Sequence, residues 1–278
     1  MLEIQARSGV GADVDGIDLR ELDDAGHGAL SEALARHGVL FFRDQNLSPQ
    51  QHLAFAARWG AIDVNRFFAH DPQHPGIAVV SKSPEQVDNI GGGWHTDHSY
   101  DQTPAMGSIL LAREVPPRGG ETLFANMNAA FEALSPGLKR ILCELNAVHS
   151  SRHVFGTAGL YARAGDVRMN NAELATQDAV HPVVIAHPVS GLPLLYVNRA
   201  FTLRFEGWTD LESQSLLQFL YAHAARPEFQ TRFEWRPGSI AFWDNRSTWH
   251  YALNNYHGHA RLMHRVTVQG GALERWRP

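Results

Sequence analysis

The run Gly93-Trp94-His95-Thr96-Asp97-His98 sets the strongest constraint on how this chain can fold. In extended backbone, residues two apart project to the same side. His95 and Asp97 therefore aim an imidazole and a carboxylate at one point. Two donors on one short segment do not complete a coordination sphere. A fold that used them would have to carry a third donor back from a distant part of the chain.

The chain has 16 histidines, so the pair by itself is more simply read as a surface feature, or as a histidine satisfied by a nearby carboxylate. Adding one distant histidine turns it into the two-His, one-carboxylate triad associated with non-heme Fe(II). The segment Trp243 to Tyr251 offers a candidate. An apolar run, Ile240 to Trp243, reads as a strand, Asp244-Asn245-Arg246 as a turn, and His250 as the start of the next element. It lies 155 positions after His95 (95 to 250). Spacing alone does not separate His250 from His257, His259 or His264.

Composition narrows the classes. With 278 residues and 44% hydrophobic content, one large domain over 1–278 can bury a sizeable core. No repeat and no Gly/Ser/Pro-rich linker divides it. A net charge of -5 without a basic block argues against nucleic acid as a partner. The one cysteine, Cys143, forms no intrachain disulfide and reads as a buried helical thiol. The first residues lack a basic stretch followed by an apolar one, and no run has the length of a membrane span, so the expectation is a cytoplasmic protein without a membrane partner.

Helices are expected where start signals and periodicity coincide. Ser48, Pro49 and Gln51 supply an N-cap, a first-turn proline and a capping box, with Leu53, Phe55, Ala56 and Trp59 behind them. Thr209 and Glu212 repeat the signal, and Leu211, Ser215, Leu216, Phe219, Leu220 and His223 follow at helical spacing. His27 to His37 reads as a further short helix. The rest is strand-rich: Gly9 to Gly16, Val39 to Phe42, Ile77 to Val80, Ser108 to Ala112, Val183 to Ile185, Leu194 to Val197, Ile240 to Trp243 and Leu262 to Val268, punctuated by Gly and Pro. The fold class is mainly β with helical insertions, a β-sandwich or jelly roll.

The last strand carries a second signal. Period two places Arg261, Met263, Arg265 and Thr267 on one face and Leu262, His264, Val266 and Val268 on the other. Alternation alone favours a solvated arginine face. If that face instead lines an interior, each guanidinium needs an anionic partner, and arginine suits carboxylates through its fork of donors. Thr122, in Gly119-Gly120-Glu121-Thr122-Leu123, could add a hydroxyl, although alone it is an ordinary strand residue.

Together these segments resemble the taurine and phenoxyacetate dioxygenase family of Fe(II)/2-oxoglutarate-dependent oxygenases. The matching runs are Trp94-His95-Thr96-Asp97, Gly119 to Leu123, His181-Pro182-Val183-Val184, His187 to Gly191, Trp243-Asp244-Asn245-Arg246 with His250, and Arg261 to Arg265, with Gly11 to Gly16 and Phe41 to Gln45 near the start. The resemblance covers nearly the whole chain. It implies a double-stranded β-helix (jelly-roll, cupin-like) core, and His95, Asp97 and His250 as ligands of Fe(2+). It implies Thr122 and Arg261 as the pair holding the distal carboxylate of 2-oxoglutarate, and Arg265 facing an anionic substrate group. Three protein ligands leave room for 2-oxoglutarate and O2. The implied reaction hydroxylates the substrate next to a heteroatom while 2-oxoglutarate becomes succinate and CO2. A carboxylate at 97 speaks against halogenation. A homo-oligomer, dimer or tetramer, is also expected.

Substrate residues are expected at Asn65, Phe68, Gly91 and His98 beside Arg265. Asn65, Phe68 and Gly91 stand where taurine enzymes have His, Tyr and Asn, which leaves less polar grip for an aminoalkyl sulfonate. Val148 to Gly156 is similar to members that cleave aryloxyalkanoates, and Phe67, Phe68, Tyr100 and Phe155 could line an aromatic pocket. The leading expectation is an aryloxyalkanoate, with alkyl sulfonates or sulfates as the alternative. Residues 155–169, rich in Gly, Ala and Arg, read as a mobile loop over the site. A metal-dependent hydrolase and a non-catalytic jelly-roll binding protein are the readings from other classes.

Overall fold

The computed structural model describes residues 2–166 and 168–278. The chain opens with β1 (Glu3–Ala6) and β2 (Ala12–Asp15), an antiparallel hairpin. The strand expected over 9–16 is shorter because Gly9 and Gly11 turn there in left-handed backbone. A Cβ at Gly11 would stand 2.6 Å from the Phe41 ring. Helix α1 (Asp24–His37) starts at Asp23, whose carboxylate accepts from Gly26 N–H, and ends where left-handed Gly38 donates to Leu34 O. β3 (Val39–Phe42) follows, then α2 (Pro49–Ala57) with the expected capping box: Gln51 N–H donates to Ser48 Oγ and Ser48 N–H to Gln51 Oε1.

Next come β4 (Ile62–Asp63), β5 (Ala78–Lys82), β6 (Gly107–Glu114) and β7 (Thr122–Asn126). Helices α3 (Met127–Glu132) and α4 (Pro136–Glu144), strand β8 (Asn146–Ser150), and helices α5 (Arg152–Phe155) and α6 (Leu160–Ala164) form the middle. Cys143 is buried on α4, as expected. β9 (Asp178–Pro182), β10 (Val184–Ala186), β11 (Pro193–Leu195) and β12 (Thr202–Phe205) precede α7 (Asp210–Ala224). β13 (Gln230–Phe233), β14 (Ile240–Asp244), β15 (Thr248–Ala252) and β16 (Arg261–Val268) close the chain.

The large sheet runs β1-β2-β3-β14-β6-β16-β4, with β5 also paired to β16; β2/β3 is its parallel pair. A three-stranded sheet, β13-β7-β15, faces it. Residue alternation shows how the layers stack. Ile240 and Phe242 of β14, with Ile109 and Leu111 of β6, pack under α1 and α2 against Leu30, Leu34 and Phe55. Their neighbours Ala241, Trp243, Leu110 and Ala112 turn the other way and meet Phe124 and Phe233 of the small sheet. Both faces of the central strands β3, β14 and β6 are therefore buried, which is why these strands read as continuous apolar runs. The small sheet's outer face, with Ala125 and Trp249, is covered by α3, α4 and α7. Since Trp249 points outward, His250 must point between the sheets. By the same rule Arg261 and Arg265 share the inward face of Met263, so the interior reading of the arginines holds and the solvated one fails.

The helical stripe read over 211–223 needs one correction. Ser213, Leu217, Leu220, Tyr221 and Ala224 face the core, while Leu211 and Phe219 are exposed. Among the described residues, no helix is long and apolar enough to cross a membrane.

One buried group links this packing to pH. His52, fully buried on α2, has its pKa pushed down to about 3, first by burial and then by the Arg113 charge. In the unfolded chain it titrates near 6.5. A depressed folded pKa means the unfolded state binds more protons between those values, so stability falls as pH drops from about 6.5 toward 3. Thermal melts across that window should lose stability by up to about 1.4 kcal/mol per pH unit from this residue, and His52→Leu should flatten the slope.

Candidate metal centre and substrate cavity

His95 and His250 are held together by their own backbones. His95 N–H donates to His250 O (3.1 Å) and His250 N–H donates to His95 O (2.8 Å), an isolated antiparallel bridge between the 95–97 segment and β15. The two rings then stand 4.0 Å apart between centroids. Asp97 reaches the same point from a turn and not from a strand, which corrects the extended i, i+2 expectation. The turn carries His98 in left-handed backbone, at φ 60. Asp97 Oδ1 lies 3.8 Å from His95 Nε2 and 3.9 Å from His250 Nε2. The ligand atoms of all three lie within 4.8 Å of one another. Of the four late histidines, the fold selects His250. His257 and His259 are exposed, and His264 accepts from Arg113 on the other side of β16.

Protonation states suit a divalent cation. His95 Nδ1–H donates to Gly93 O (2.8 Å), which leaves Nε2 with its lone pair toward the shared point. Burial pushes both His95 and His250 toward the neutral form. Burial would raise Asp97, but the Arg265 guanidinium, then His250 and His95, hold its carboxyl below the usual carboxylate range. Two neutral nitrogens and one ionised oxygen are the donor set that Fe(2+) accepts.

Asp97 is oriented through its second oxygen. Oδ2 accepts from Ser108 Oγ (3.0 Å) and Arg265 Nη1 (3.1 Å). Ser108 Oγ in turn accepts from Asn245 Nδ2 (3.4 Å), whose Oδ1 accepts from Trp243 Nε1 (2.8 Å). Thr96 Oγ1 donates to Asn245 O. The Asp244-Asn245-Arg246 turn is itself pinned, with Asp244 Oδ2 bound by Arg246 and by His187 Nε2 (3.1 Å). Sequence reasoning missed Ser108 and Asn245 in this role. The available signal was a lone hydroxyl opening an otherwise apolar strand run, Ser108 to Ala112.

The three ligands open into a cavity of about 900 Å³. On one wall Trp235 Nε1 donates to Thr122 Oγ1 (3.0 Å), and the Arg261 guanidinium lies 5.8 Å from the Trp235 ring. Arg261 Nε and Nη2 find no partner among the described residues. On another wall Arg265 spends Nη1 on Asp97 and rests its face on Phe68 at 4.3 Å. Its Nε and Nη2 are likewise without a partner. Phe68, Tyr100, Phe155, Tyr161 and Phe201 supply the aromatic lining. Phe67 is not part of that lining; it stacks behind Phe155 at 4.6 Å.

The remaining expected residues separate. Asn65 lines the cavity, yet its Oδ1 accepts from Phe67 and Phe68 N–H (2.9 and 3.2 Å) and its Nδ2 donates to His98 Nε2 (3.0 Å). His98 lies behind it, with Nδ1 donating to Asp101 (3.1 Å), and does not reach the cavity wall. Its place is to hold Asn65. Gly91 does line the cavity, in left-handed backbone at φ 78, and a Cβ there would stand 3.3 Å from the His95 ring. Of the expected loop over 155–169, in which residue 167 lies outside the described residues, Phe155, Leu160, Tyr161 and Arg168 line the cavity, and α6 interrupts it, so it is not one loop.

Comparison with known proteins agrees with this geometry. The family model described as taurine catabolism dioxygenase TauD, TfdA family matches residues 3–267. An alpha-ketoglutarate-dependent sulfate ester dioxygenase from Pseudomonas putida is 33% identical over 94% of this chain and 87% of its own length. An (S)-phenoxypropionate/alpha-ketoglutarate-dioxygenase from Delftia acidovorans is 31% identical over 95% of both chains. An alpha-ketoglutarate-dependent sulfonate dioxygenase of Saccharomyces cerevisiae is 32% identical over 94% of this chain, which spans 65% of the yeast protein. Among solved structures, a putative alpha-ketoglutarate-dependent taurine dioxygenase from Burkholderia xenovorans superposes with a TM-score of 0.83 at 33% identity, covering 98% of this chain and 94% of that one. The chain belongs to the TauD/TfdA dioxygenase family, a class of oxidoreductases that use Fe(II), 2-oxoglutarate and O2.

Removing the Ser108 hydroxyl strips Asp97 of one of its two orienting donors and leaves Asn245 Nδ2 without its acceptor. Ser108→Ala should weaken Mn(II) or Fe(II) binding by about 10-fold or more, measured by calorimetry without oxygen, with the thermal midpoint little changed. Unaltered metal affinity would show that Arg265 alone orients the carboxylate.

Proposed function

We propose that this protein hydroxylates a small anionic organic substrate next to a heteroatom, coupled to conversion of 2-oxoglutarate to succinate and CO2. The observation that carries the reading is the cavity itself. His95, Asp97 and His250 converge on one wall, and two buried arginines, Arg261 and Arg265, each turn unpartnered donors within it. A buried guanidinium without an anion is costly, so each marks a place for an anionic group. The layered sheets fit the double-stranded β-helix core of this class, built as one catalytic domain from both ends of the chain.

In this reading His95, Asp97 and His250 hold Fe(2+), which when bound supplies the activation of O2. Thr122 and Arg261 bind the distal carboxylate of 2-oxoglutarate; the Thr122 hydroxyl already accepts from Trp235, so its own proton is free to be donated. Arg265 binds the substrate anion through Nε and Nη2 while Nη1 stays on Asp97. The aromatic lining excludes water and orients an apolar or aromatic body. The leading substrate class is the aryloxyalkanoates. Phe68, Tyr100, Phe155 and Tyr161 support it, as does the Delftia relative named for phenoxypropionate. Asn65 is committed to His98 and to backbone, and Gly91 carries no side chain, so neither offers a grip for an ammonium group; alkyl sulfates remain the alternative, supported by the Pseudomonas relative. Exposed Leu211 and Phe219 on α7 support a homo-oligomer, and the single buried thiol fits a cytoplasmic setting.

Succinate release should require Fe(II), O2 and 2-oxoglutarate together, which separates this reading from a hydrolase. Across a panel of aryloxyalkanoates, alkyl sulfates and alkyl sulfonates, an aryloxyalkanoate should give the highest kcat/KM. No turnover with any of them would sink that substrate class. Arg261→Ala should raise the 2-oxoglutarate concentration needed for half-maximal turnover at least tenfold, because truncating one partner of a buried charge pair costs about 2–5 kcal/mol. An unchanged requirement would count against the assignment of Arg261.

A further inference from the structure

Lys82 is a buried side chain near the site that this function leaves unexplained. It ends β5 and is directly opposite Arg261 in the antiparallel β5/β16 pair. Directly opposed residues present their side chains on the same face. Lys82 is 2% exposed and Arg261 5% exposed. Neither Lys82 Nζ nor Arg261 Nε and Nη2 has a hydrogen-bond partner among the described residues. The Lys82 ammonium instead rests 4.4 Å over the ring of Tyr256, itself buried.

Two cations so placed call for an anionic group. Lysine is almost never fully buried unless paired. Like charges directly opposite one another on a sheet repel. A ring face attracts an ammonium, but more weakly than a carboxylate does in a dry site. Lys82 does not line the cavity, whereas Arg261 does. The second charge therefore stands beside the first, on the neighbouring strand and set back from the cavity wall, and like charge so placed adds to the positive potential that Arg261 presents.

We propose that Lys82 is a positioning residue for the anion bound by Arg261: its charge, held beside Arg261 by the face of Tyr256, strengthens selection of a keto acid that carries a distal carboxylate. The inference rests on the reading of Arg261 as the 2-oxoglutarate arginine. A carboxylate bound by Arg261 is attracted by both cations at once.

The test compares two ligands that differ only at the distal end: 2-oxoglutarate, and 2-oxopentanoate, in which a methyl replaces that carboxylate. Binding of each to the Mn(II)-loaded protein is measured by calorimetry without substrate. Wild type should prefer 2-oxoglutarate by about 100-fold or more. Lys82→Met should weaken 2-oxoglutarate about tenfold while leaving 2-oxopentanoate within about twofold, and Lys82→Arg should restore most of the preference. Lys82→Met should also melt no lower than wild type without ligand, since it removes an unpaired buried charge. Equal weakening of both ligands, or of neither, would overturn the inference. If wild type itself shows no preference, or Arg261→Ala leaves the preference intact, the reading of Arg261 falls and this inference with it.

Discussion

Two reciprocal backbone hydrogen bonds between His95 and His250 hold the site together. They pair a short segment before β6 with β15 of the opposite sheet, so the metal centre is a seam between the layers and not a decoration on one of them. Everything else is arranged around that seam. β15 is kept in register by β7, where His250 stands opposite Phe124. The 95–97 segment is tied from the other side through Thr96 and the Asn245 carbonyl. The two histidine backbones are paired and the His95 ring is held by the Gly93 carbonyl, while Asp97 is oriented by Ser108 and Arg265, with Asn245 bonded to Ser108.

The charges between the sheets follow a division of labour. Asp97 is surrounded by donors and stays ionised, while Arg261 and Arg265 each keep two donors without a partner among the described residues, the places proposed for anionic groups. Arg265 joins the two roles, since one guanidinium orients the metal-binding carboxylate, rests on Phe68 and still offers two N–H groups to the cavity. Such a site is expensive to bury, and the offset comes from the apolar layers on both faces of the large sheet and from the helices α1, α2, α3 and α7 that cover them.

Much of this was legible in the sequence because it rests on local chemistry. The capping boxes at Ser48 and Thr209, the apolar strands and the turn before His250 all depend on neighbours within a few residues. The convergence of His95 and Asp97 was legible as a motif, although the reason given for it was incomplete: a turn, not a strand, brings Asp97 to His95. What local patterns could not decide was direction. Alternation along β16 separates two faces but does not say which is inside, and the solvated arginine face was the better reading until the opposite sheet was in place. Likewise His98 has the look of a site residue because it adjoins Asp97, and only the fold turns it behind Asn65. Ser108 left only the faint signal of a lone hydroxyl at the head of an apolar run, while Asn245 and Lys82 left none, because Asn245 meets Ser108 from 137 positions away and Lys82 meets Arg261 only across a strand pair.

The central claim is that His95, Asp97 and His250 bind one iron beside a 2-oxoglutarate pocket formed by Thr122 and Arg261. It is tested most directly by adding Fe(II) and 2-oxoglutarate to the protein without oxygen and recording the visible absorption spectrum. The expected result is a charge-transfer band that saturates at one iron per chain, shifts when an anionic substrate is added, and is lost in His250→Ala. A protein that gives no such band, or keeps it in His250→Ala, would contradict the account.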